Sequence, residues 1–211
     1  MTAPRVIKLT YFNLTGRAEI ARLALHIGGI EFEDERLSRA VVAERKAILP
    51  YGQLPVLTVD GRVFAQSSAI ARYAGALSGL YPTDPLAALQ VDEVLEHAKD
   101  IFDTLVPTLR EPDAAKRIAM RQELAERKVA PMCAALERRV AATKVFPGDF
   151  LLGSSLTLAD LELYLTMGLV KSGWFEGLPT TLCDNHATWG GIAQSVARHP
   201  KVQSWNNRGK L

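Results

Sequence analysis

The chain has 211 residues, 48% of them hydrophobic and 23% charged, with a net charge of +2. That is room for one larger domain or two small ones around a real core, and too little net charge to argue for nucleic acid or an anionic membrane surface as partner. No run approaches the ~20 apolar residues of a membrane span, and Met1-Thr2-Ala3-Pro4-Arg5 leads into a strand-like run without signal-peptide character. Cys133 and Cys183 lie far apart in the chain and form no C-x-x-C, metal or disulfide-framework pattern. The four histidines are scattered without zinc-type spacing. A reducing, cytoplasmic setting and no metal requirement are the expectation.

Val6 to Tyr11 reads as a strand and Asn13-Leu14-Thr15-Gly16 as a turn. A helix follows from Arg17 to Ile27, with Ile20, Leu23, Ala24 and Ile27 on one face, and Gly28-Gly29 stops it. Glu31 to Leu37 suits a short second strand, and Arg39 to Leu49 a helix ended by Pro50. Leu54-Pro55 then opens an apolar strand that turns at Asp60-Gly61 and returns, because a tight primed turn needs residues that tolerate positive φ. The return strand meets a helix start at Gln66-Ser67-Ser68. That helix runs to Leu77 with Ile70, Tyr73, Ala74 and Leu77 inward. Free N–H groups at such a start attract anions. The order strand, helix, strand, helix, strand, strand, helix describes a compact α/β unit with a mixed sheet.

Gly79-Leu80-Tyr81-Pro82-Thr83-Asp84-Pro85 is rich in turn formers and marks a boundary, beyond which strand signals vanish. Val91, Val94, Ala98, Ile101 and Leu105 step along a long amphipathic helix. A second helical stretch runs from Ala114 to Ala142, with Ala125, Val129, Met132, Leu136 and Val140 on its apolar face and Pro131 bending or interrupting it near Ala130. Further helices are expected at Leu158–Val170, Ala187–Arg198 and Lys201–Arg208. Thr157-Leu158-Ala159-Asp160 has the form of a capping box, and Leu156 and Leu161 are placed for its hydrophobic staple. The expected division is therefore an α/β domain over residues 1–80 and an all-α domain over residues 81–211. Charge does not separate them: 10 basic and 7 acidic residues precede the boundary, 15 and 16 follow it.

Several strings, in order, carry a likeness: Leu9 to Glu19, Tyr51-Gly52-Gln53-Leu54-Pro55-Val56-Leu57, Val59-Asp60-Gly61, Ala65 to Tyr73, and Ser155 to Asp160. Together they resemble the sigma-class glutathione transferases, a group that includes the haematopoietic prostaglandin D synthase type. The resemblance spans nearly the whole chain. It implies a thioredoxin-like first domain that binds glutathione as co-substrate, an all-helical second domain that forms most of the pocket for the other substrate, and a homodimer.

Under that resemblance Tyr11 matches the catalytic tyrosine. A free thiol titrates near ~8.5, and a phenolic O–H donating to sulfur favours the thiolate, two units of depression corresponding to about 2.7 kcal/mol. Arg17 matches an arginine that supports the thiolate electrostatically. Leu54-Pro55 matches a cis-proline bond whose Leu54 backbone pairs with the cysteinyl unit of glutathione as an added strand, with Gln53 beside it. Gln66 and Ser67 match the residues holding the γ-glutamyl carboxylate, Lys46 a lysine that pairs with the glycyl carboxylate, and Asp100 an acidic residue reaching across the dimer to the α-amino group. Val42 departs from the pattern: it stands where the family has a tryptophan whose indole N–H binds the glycyl carboxylate, which implies weaker glutathione binding.

Phe12, Phe102, Pro107, Glu162, Thr166 and Leu211 align with the lining of the second-substrate pocket, with fewer aromatics than the prostaglandin-synthase pattern and a carboxylate at Glu162. The resemblance implies a glutathione transferase that conjugates the thiolate to small hydrophobic electrophiles in detoxification. Glutathione-dependent isomerisation of the prostaglandin D synthase kind and a non-catalytic carrier or crystallin-like role on the same fold are the alternatives.

Overall fold

Ile7, Leu9 and Tyr11, alternating along the first strand, are all buried, and they seed the sheet on which the first half of the molecule is built. The computed structural model describes residues 5–144 and 147–208. The chain divides into two compact units, one holding the described residues of 1–81 and 204–211, the other those of 82–203.

In the first unit, strands β1 (Ile7–Phe12), β2 (Glu33–Leu37), β3 (Val56–Val59) and β4 (Arg62–Ala65) form one sheet in the order β2-β1-β3-β4. β1 and β2 are parallel, whereas β1 with β3 and β3 with β4 are antiparallel. This is the thioredoxin-like mixed sheet that the resemblance implies. Asp60 (φ 49°) and Gly61 (φ 79°) make the hairpin turn between β3 and β4, the two positive dihedrals being those of a primed turn. Asp60 Oδ1 also accepts from the Val6 N–H at 2.9 Å, fastening the turn to the start of β1.

Helix α1 (Glu19–Ile27) is entered through a 3-10 turn at Gly16–Ala18 and packs on α3 (Ser67–Ser78). On α3 the buried residues are Ile70, Ala71, Ala74 and Gly75; the expected inward Tyr73 and Leu77 are half-buried. α2 (Arg39–Arg45) buries none of its residues. Ser38 caps it by accepting from the Val41 N–H at 3.4 Å, and Arg45 pairs with Glu35 of β2 at 3.4 Å. The expected single helix to Leu49 is broken into α2 and a 3-10 turn, Lys46–Ile48, and a second 3-10 turn, Pro50–Gly52, follows it.

The expected second domain ran to Leu211, yet the described residues from Ser204 to Arg208 group with the first unit. Trp205 explains this. Its Nε1 donates to buried Glu19 Oε1 at 2.6 Å, and its ring lies 5.3 Å from His26 and 6.3 Å from Phe32.

The second unit is helical: α4 (Pro85–Leu105), α5 (Ala114–Leu124), α6 (Ala130–Thr143), α7 (Leu158–Lys171) and α8 (Ala187–Arg198), with α9 (Pro200–Asn206) leading out of it. α4 packs on α6 and α7, and α8 on α6 and α7, around Val91, Ile101, Leu136, Leu163, Trp189 and Val196. Each such side chain contributes roughly 1.5–3 kcal/mol of burial. Pro131 does interrupt the 114–142 stretch. A π-helical turn at Ala125–Val129 widens the backbone just ahead of its ring, which would otherwise strike a carbonyl one turn back. Ala125, Val129, Leu136 and Val140 are buried as expected, whereas Met132 is half-buried and its neighbour Cys133 is fully buried in its place.

Glu137 of α6 caps α8, its two carboxylate oxygens accepting from the Thr188 and Trp189 N–H groups at 2.9 Å each. The Thr157 capping box forms at α7, and Asp160 also accepts from the Leu151 N–H at 2.7 Å. No helix among the described residues is long and apolar enough to cross a membrane.

Candidate functional site

Strand register alone brings the key residues of the first unit to one end of the sheet. Thr10 of β1 stands opposite Val56 of β3, and Val56 opposite Ala65 of β4. The next row outward is therefore Tyr11, Pro55 and Gln66. β2 runs parallel to β1 with Tyr11 beside Arg36, so the chain leaves β2 for α2 and Lys46 at the same end.

Tyr11 is buried, its ring edge-on to Phe12 at 5.3 Å. Its hydroxyl oxygen accepts from the Arg17 backbone N–H at 3.3 Å, which leaves the phenolic proton free to be donated elsewhere. Burial pushes the Tyr11 pKa above its ordinary 10, against the pull of the Arg17 hydrogen bond and of the Arg17 and Arg22 charges. At neutral pH it is therefore a neutral O–H donor. The turn that brings Arg17 over the hydroxyl depends on Gly16. At φ +58°, a Cβ there would lie 2.9 Å from Tyr11 Oη and 2.8 Å from Leu14 Cδ1.

Arg22 was not singled out from sequence, although a lone arginine between Ala21 and Leu23 on an apolar helix was the available signal. It is fully buried. Its guanidinium donates to Asp34 Oδ1 (2.9 Å), Glu19 Oε2 (3.0 Å), Leu14 O (2.7 Å) and Phe12 O (3.4 Å). It thereby holds both carbonyls of the loop that follows Tyr11, and its charge lies 5.7 Å from the Tyr11 ring centroid.

The Leu54-Pro55 bond is cis. Gln53 is extended at φ −136°, ψ 158° and exposed, and Leu54 is half-buried. Gln66 takes the N-cap position of α3 at φ 76°, a left-handed conformation that costs a non-glycine residue on the order of 1–3 kcal/mol. Strain of this kind collects at ligand sites. Ser67 is the first helical residue and not the cap, and no side chain caps α3. The amide groups that open this 12-residue helix stand where the positive end of the helix dipole meets solvent.

Lys46 is exposed, with its aliphatic carbons beside Gly52: Cε would lie 3.6 Å from a Cβ built there. Val42 is half-buried on α2. Of the neighbouring cations, Arg45 is engaged with Glu35, and Arg39 is exposed at the start of α2.

In the second unit, Asp100 is exposed on α4. Phe102 is half-buried and meets Phe175 edge-on at 6.3 Å. Pro107 sits exposed in a 3-10 turn, Val106–Arg110. Glu162 and Thr166 are one turn apart on α7, the Thr166 hydroxyl donating to Glu162 Oε1 at 3.4 Å. Burial pushes the Glu162 carboxyl up to about 7; Glu96 and Asp103 add to the rise, and Thr166 and Lys99 oppose it. Leu211 lies outside the described residues. No group of three or more His, Cys, Asp or Glu among the described residues is placed to hold a metal ion.

Residues 7–75 match the family model described as glutathione S-transferase, N-terminal domain, and residues 99–209 match that of the C-terminal domain. The chain is 34% identical over 204 residues to glutathione S-transferase 1 of Ascaris suum, covering 94% of each. It is 30% identical over 203 residues to the hematopoietic prostaglandin D synthase of Homo sapiens, covering 95% of each. Among solved structures, a monomeric glutathione S-transferase of the hookworm Necator americanus superposes with a TM-score of 0.81 at 30% identity, covering 98% of each chain. With both halves matched by the family's models and relatives aligned along nearly their full length, the chain belongs to the glutathione S-transferase family, and it is a glutathione transferase.

Proposed function

We propose that the chain conjugates glutathione to small hydrophobic electrophiles, with the Tyr11 hydroxyl stabilising the thiolate. The observation that carries this reading is the state of Tyr11: buried, neutral, and with its oxygen already accepting from the Arg17 N–H, so that its proton points to an incoming sulfur. In the ground state the hydroxyl donates to the sulfur. As the thiolate attacks the electrophilic carbon, a carbon–sulfur bond forms and the leaving group departs with its electron pair. Arg17 and Arg22 add positive potential at the same end of the sheet.

The tripeptide is assigned by the same reasoning. Its γ-glutamyl carboxylate goes to Gln66, Ser67 and the open amides of α3. Its cysteinyl backbone pairs with Leu54 beside Pro55 and Gln53, and its glycyl carboxylate goes to Lys46. A homodimer with Asp100 contributed across the interface fits two exposed apolar surfaces. On the first unit Tyr51, Val63 and Phe64 are 77%, 51% and 50% exposed, and on α4 Leu86 and Leu89, on the face of Asp100, are 66% and 64% exposed. Phe12, Phe102, Pro107, Glu162 and Thr166 are the assigned contacts of the second substrate. Detoxification in the cytoplasm is the role this reading supports.

The test is turnover of 1-chloro-2,4-dinitrobenzene, in which the thiolate displaces chloride, by wild type and Tyr11→Phe. Loss of about 2.7 kcal/mol of thiolate stabilisation predicts a fall of up to about a hundredfold at neutral pH. Equal rates would remove Tyr11 from the mechanism. A second reading, glutathione-dependent isomerisation, is favoured by the human prostaglandin D synthase relative. It predicts an isomerised product containing no glutathione. Bound glutathione with no turnover of either kind would point to a carrier.

A further inference from the structure

The two cysteines that stand fifty residues apart meet inside the second unit. Cys133 lies on α6, one turn before the Glu137 that caps α8, and Cys183 lies on the segment leading into α8. Both thiols are free, nearly inaccessible from outside, and within hydrogen-bond reach of one another. They differ in what else they touch. Cys133 is fully buried on α6, which packs on α4 and α8, whereas Cys183 lines a cavity of about 440 Å³ between α7 and α8.

Glycines make this cavity. Gly168 of α7 and Gly190 and Gly191 of α8 line it, and a Cβ built on any of them would touch nothing within 4 Å. Lys171 and Asp184 stand at its wall, joined by an ion pair of 2.6 Å.

We propose that Cys183 is a thiol–disulfide exchange site reached through the α7–α8 cavity, with Cys133 as its resolving thiol. The co-reactant is a small disulfide, of which glutathione disulfide is the available probe. The Cys183 thiolate attacks one sulfur of the disulfide. That S–S bond breaks, a mixed disulfide forms on Cys183, and the expelled thiolate takes up a proton. Cys133 then gives up its proton and attacks Cys183 Sγ, the mixed disulfide breaks, and a second thiol leaves. The co-reactant is reduced to two thiols and the protein gains one internal disulfide.

The electrostatics agree with this division of labour. The Cys133 S–H donating to it holds the Cys183 thiol below its ordinary value, against burial; Lys171 helps and Asp184 opposes. The same hydrogen bond, with burial, pushes Cys133 far up. The nucleophile is the member of the pair that lines the cavity.

Folded protein incubated with glutathione disulfide, quenched and weighed intact, tests the proposal. Wild type is expected to become lighter by two hydrogen atoms, with the peptides containing Cys133 and Cys183 joined. Cys133→Ser is expected to gain one glutathionyl group on Cys183, and Cys183→Ser none. Gly190→Leu, which places a side chain in the cavity, should slow the reaction. The wild-type result depends on no variant folding. An unmodified wild type whose denatured sample reacts readily, or a stable glutathionyl adduct on wild type without the internal disulfide, would overturn the proposal. So would uptake by folded Cys183→Ser as fast as by Cys133→Ser.

Discussion

Replacing Arg22 by methionine would keep most of its volume and remove all four of its hydrogen bonds. Two of the groups left behind are carboxylates with unequal fates. Asp34 retains Arg36, whose Nε donates to Oδ2 at 2.8 Å. Among the described residues Glu19 retains only the neutral Trp205 indole at 2.6 Å, with a side chain 8% exposed. A buried carboxylate deprived of its cation costs about 3–5 kcal/mol, a large part of the 5–15 kcal/mol that holds a domain together. Leu14 O loses the Arg22 donor, and Phe12 O keeps the Leu14 N–H at 2.8 Å but loses the guanidinium; these carbonyls flank the loop that presents Tyr11 to Arg17.

Two readouts separate the consequences. Amide exchange in peptides from β1 and α1 should accelerate by the full stability loss, and glutathione affinity should fall further than that loss predicts at temperatures where the variant remains folded. Arg22→Lys restores the charge opposite Glu19 but reaches the carbonyls with a point donor in place of a planar fork, so it should recover stability more than affinity. Adding Glu19→Gln to Arg22→Met removes the stranded charge and should return about 1–3 kcal/mol. A loss below about 1 kcal/mol for Arg22→Met alone, the size of one ordinary hydrogen bond, would refute the view that Arg22 organises this loop.

Glu162 gives a pH prediction for the second unit. Its carboxyl titrates near 7 in the folded chain against 4.5 ordinarily, so it favours folding while protonated and its contribution is lost as pH rises through that interval. Relative to Glu162→Gln, wild type should lose up to about 3 kcal/mol between pH ~4.5 and ~8 in denaturant unfolding, less to the extent that solvent reaches the group. A pH-independent difference would show that Glu96, Asp103 and burial do not raise it. At the other end of the tripeptide, Val42→Trp should restore a donor worth ~1.5–3 kcal/mol and tighten glutathione binding by roughly ten- to a hundredfold in calorimetry. An unchanged constant, or a submicromolar one for wild type, would show that another group already holds the glycyl carboxylate.

What the sequence made legible is what local backbone rules determine. Asp60-Gly61 names its own turn, the Thr157–Asp160 box names the start of α7, and Pro131 announces a break, because each acts through dihedrals or hydrogen bonds within a few residues. The form of the break was not legible. A π turn and a kink satisfy the same proline, and only the packing of Ala125, Val129 and Cys133 into one core selects the wide turn. The meeting of the two cysteines was hidden as well, because it depends on tertiary closure and leaves no spacing to read. Arg22 was hidden for a related reason: its partners come from α1, β2 and the loop after β1, and no window of sequence contains them together.

The candidate site divides along the same line. Tyr11, Pro55 and Gln66 reach one end of the sheet through strand register, so a backbone pairing error of one residue would displace all three together and turn Tyr11 to the opposite face. Their placement is therefore as secure as the sheet itself. Lys46 and Val42 depend on α2, which buries nothing and is tied to the sheet by an exposed pair between Arg45 and Glu35, an interaction worth only about 0–1 kcal/mol. A segment held so weakly can exchange its side-chain contacts at little cost to the fold. On the proposed assignment, the glycyl end of the tripeptide is accordingly the part of the site where a residue such as Val42 can stand in place of a donor without disturbing Tyr11, and where affinity can change while the chemistry is kept.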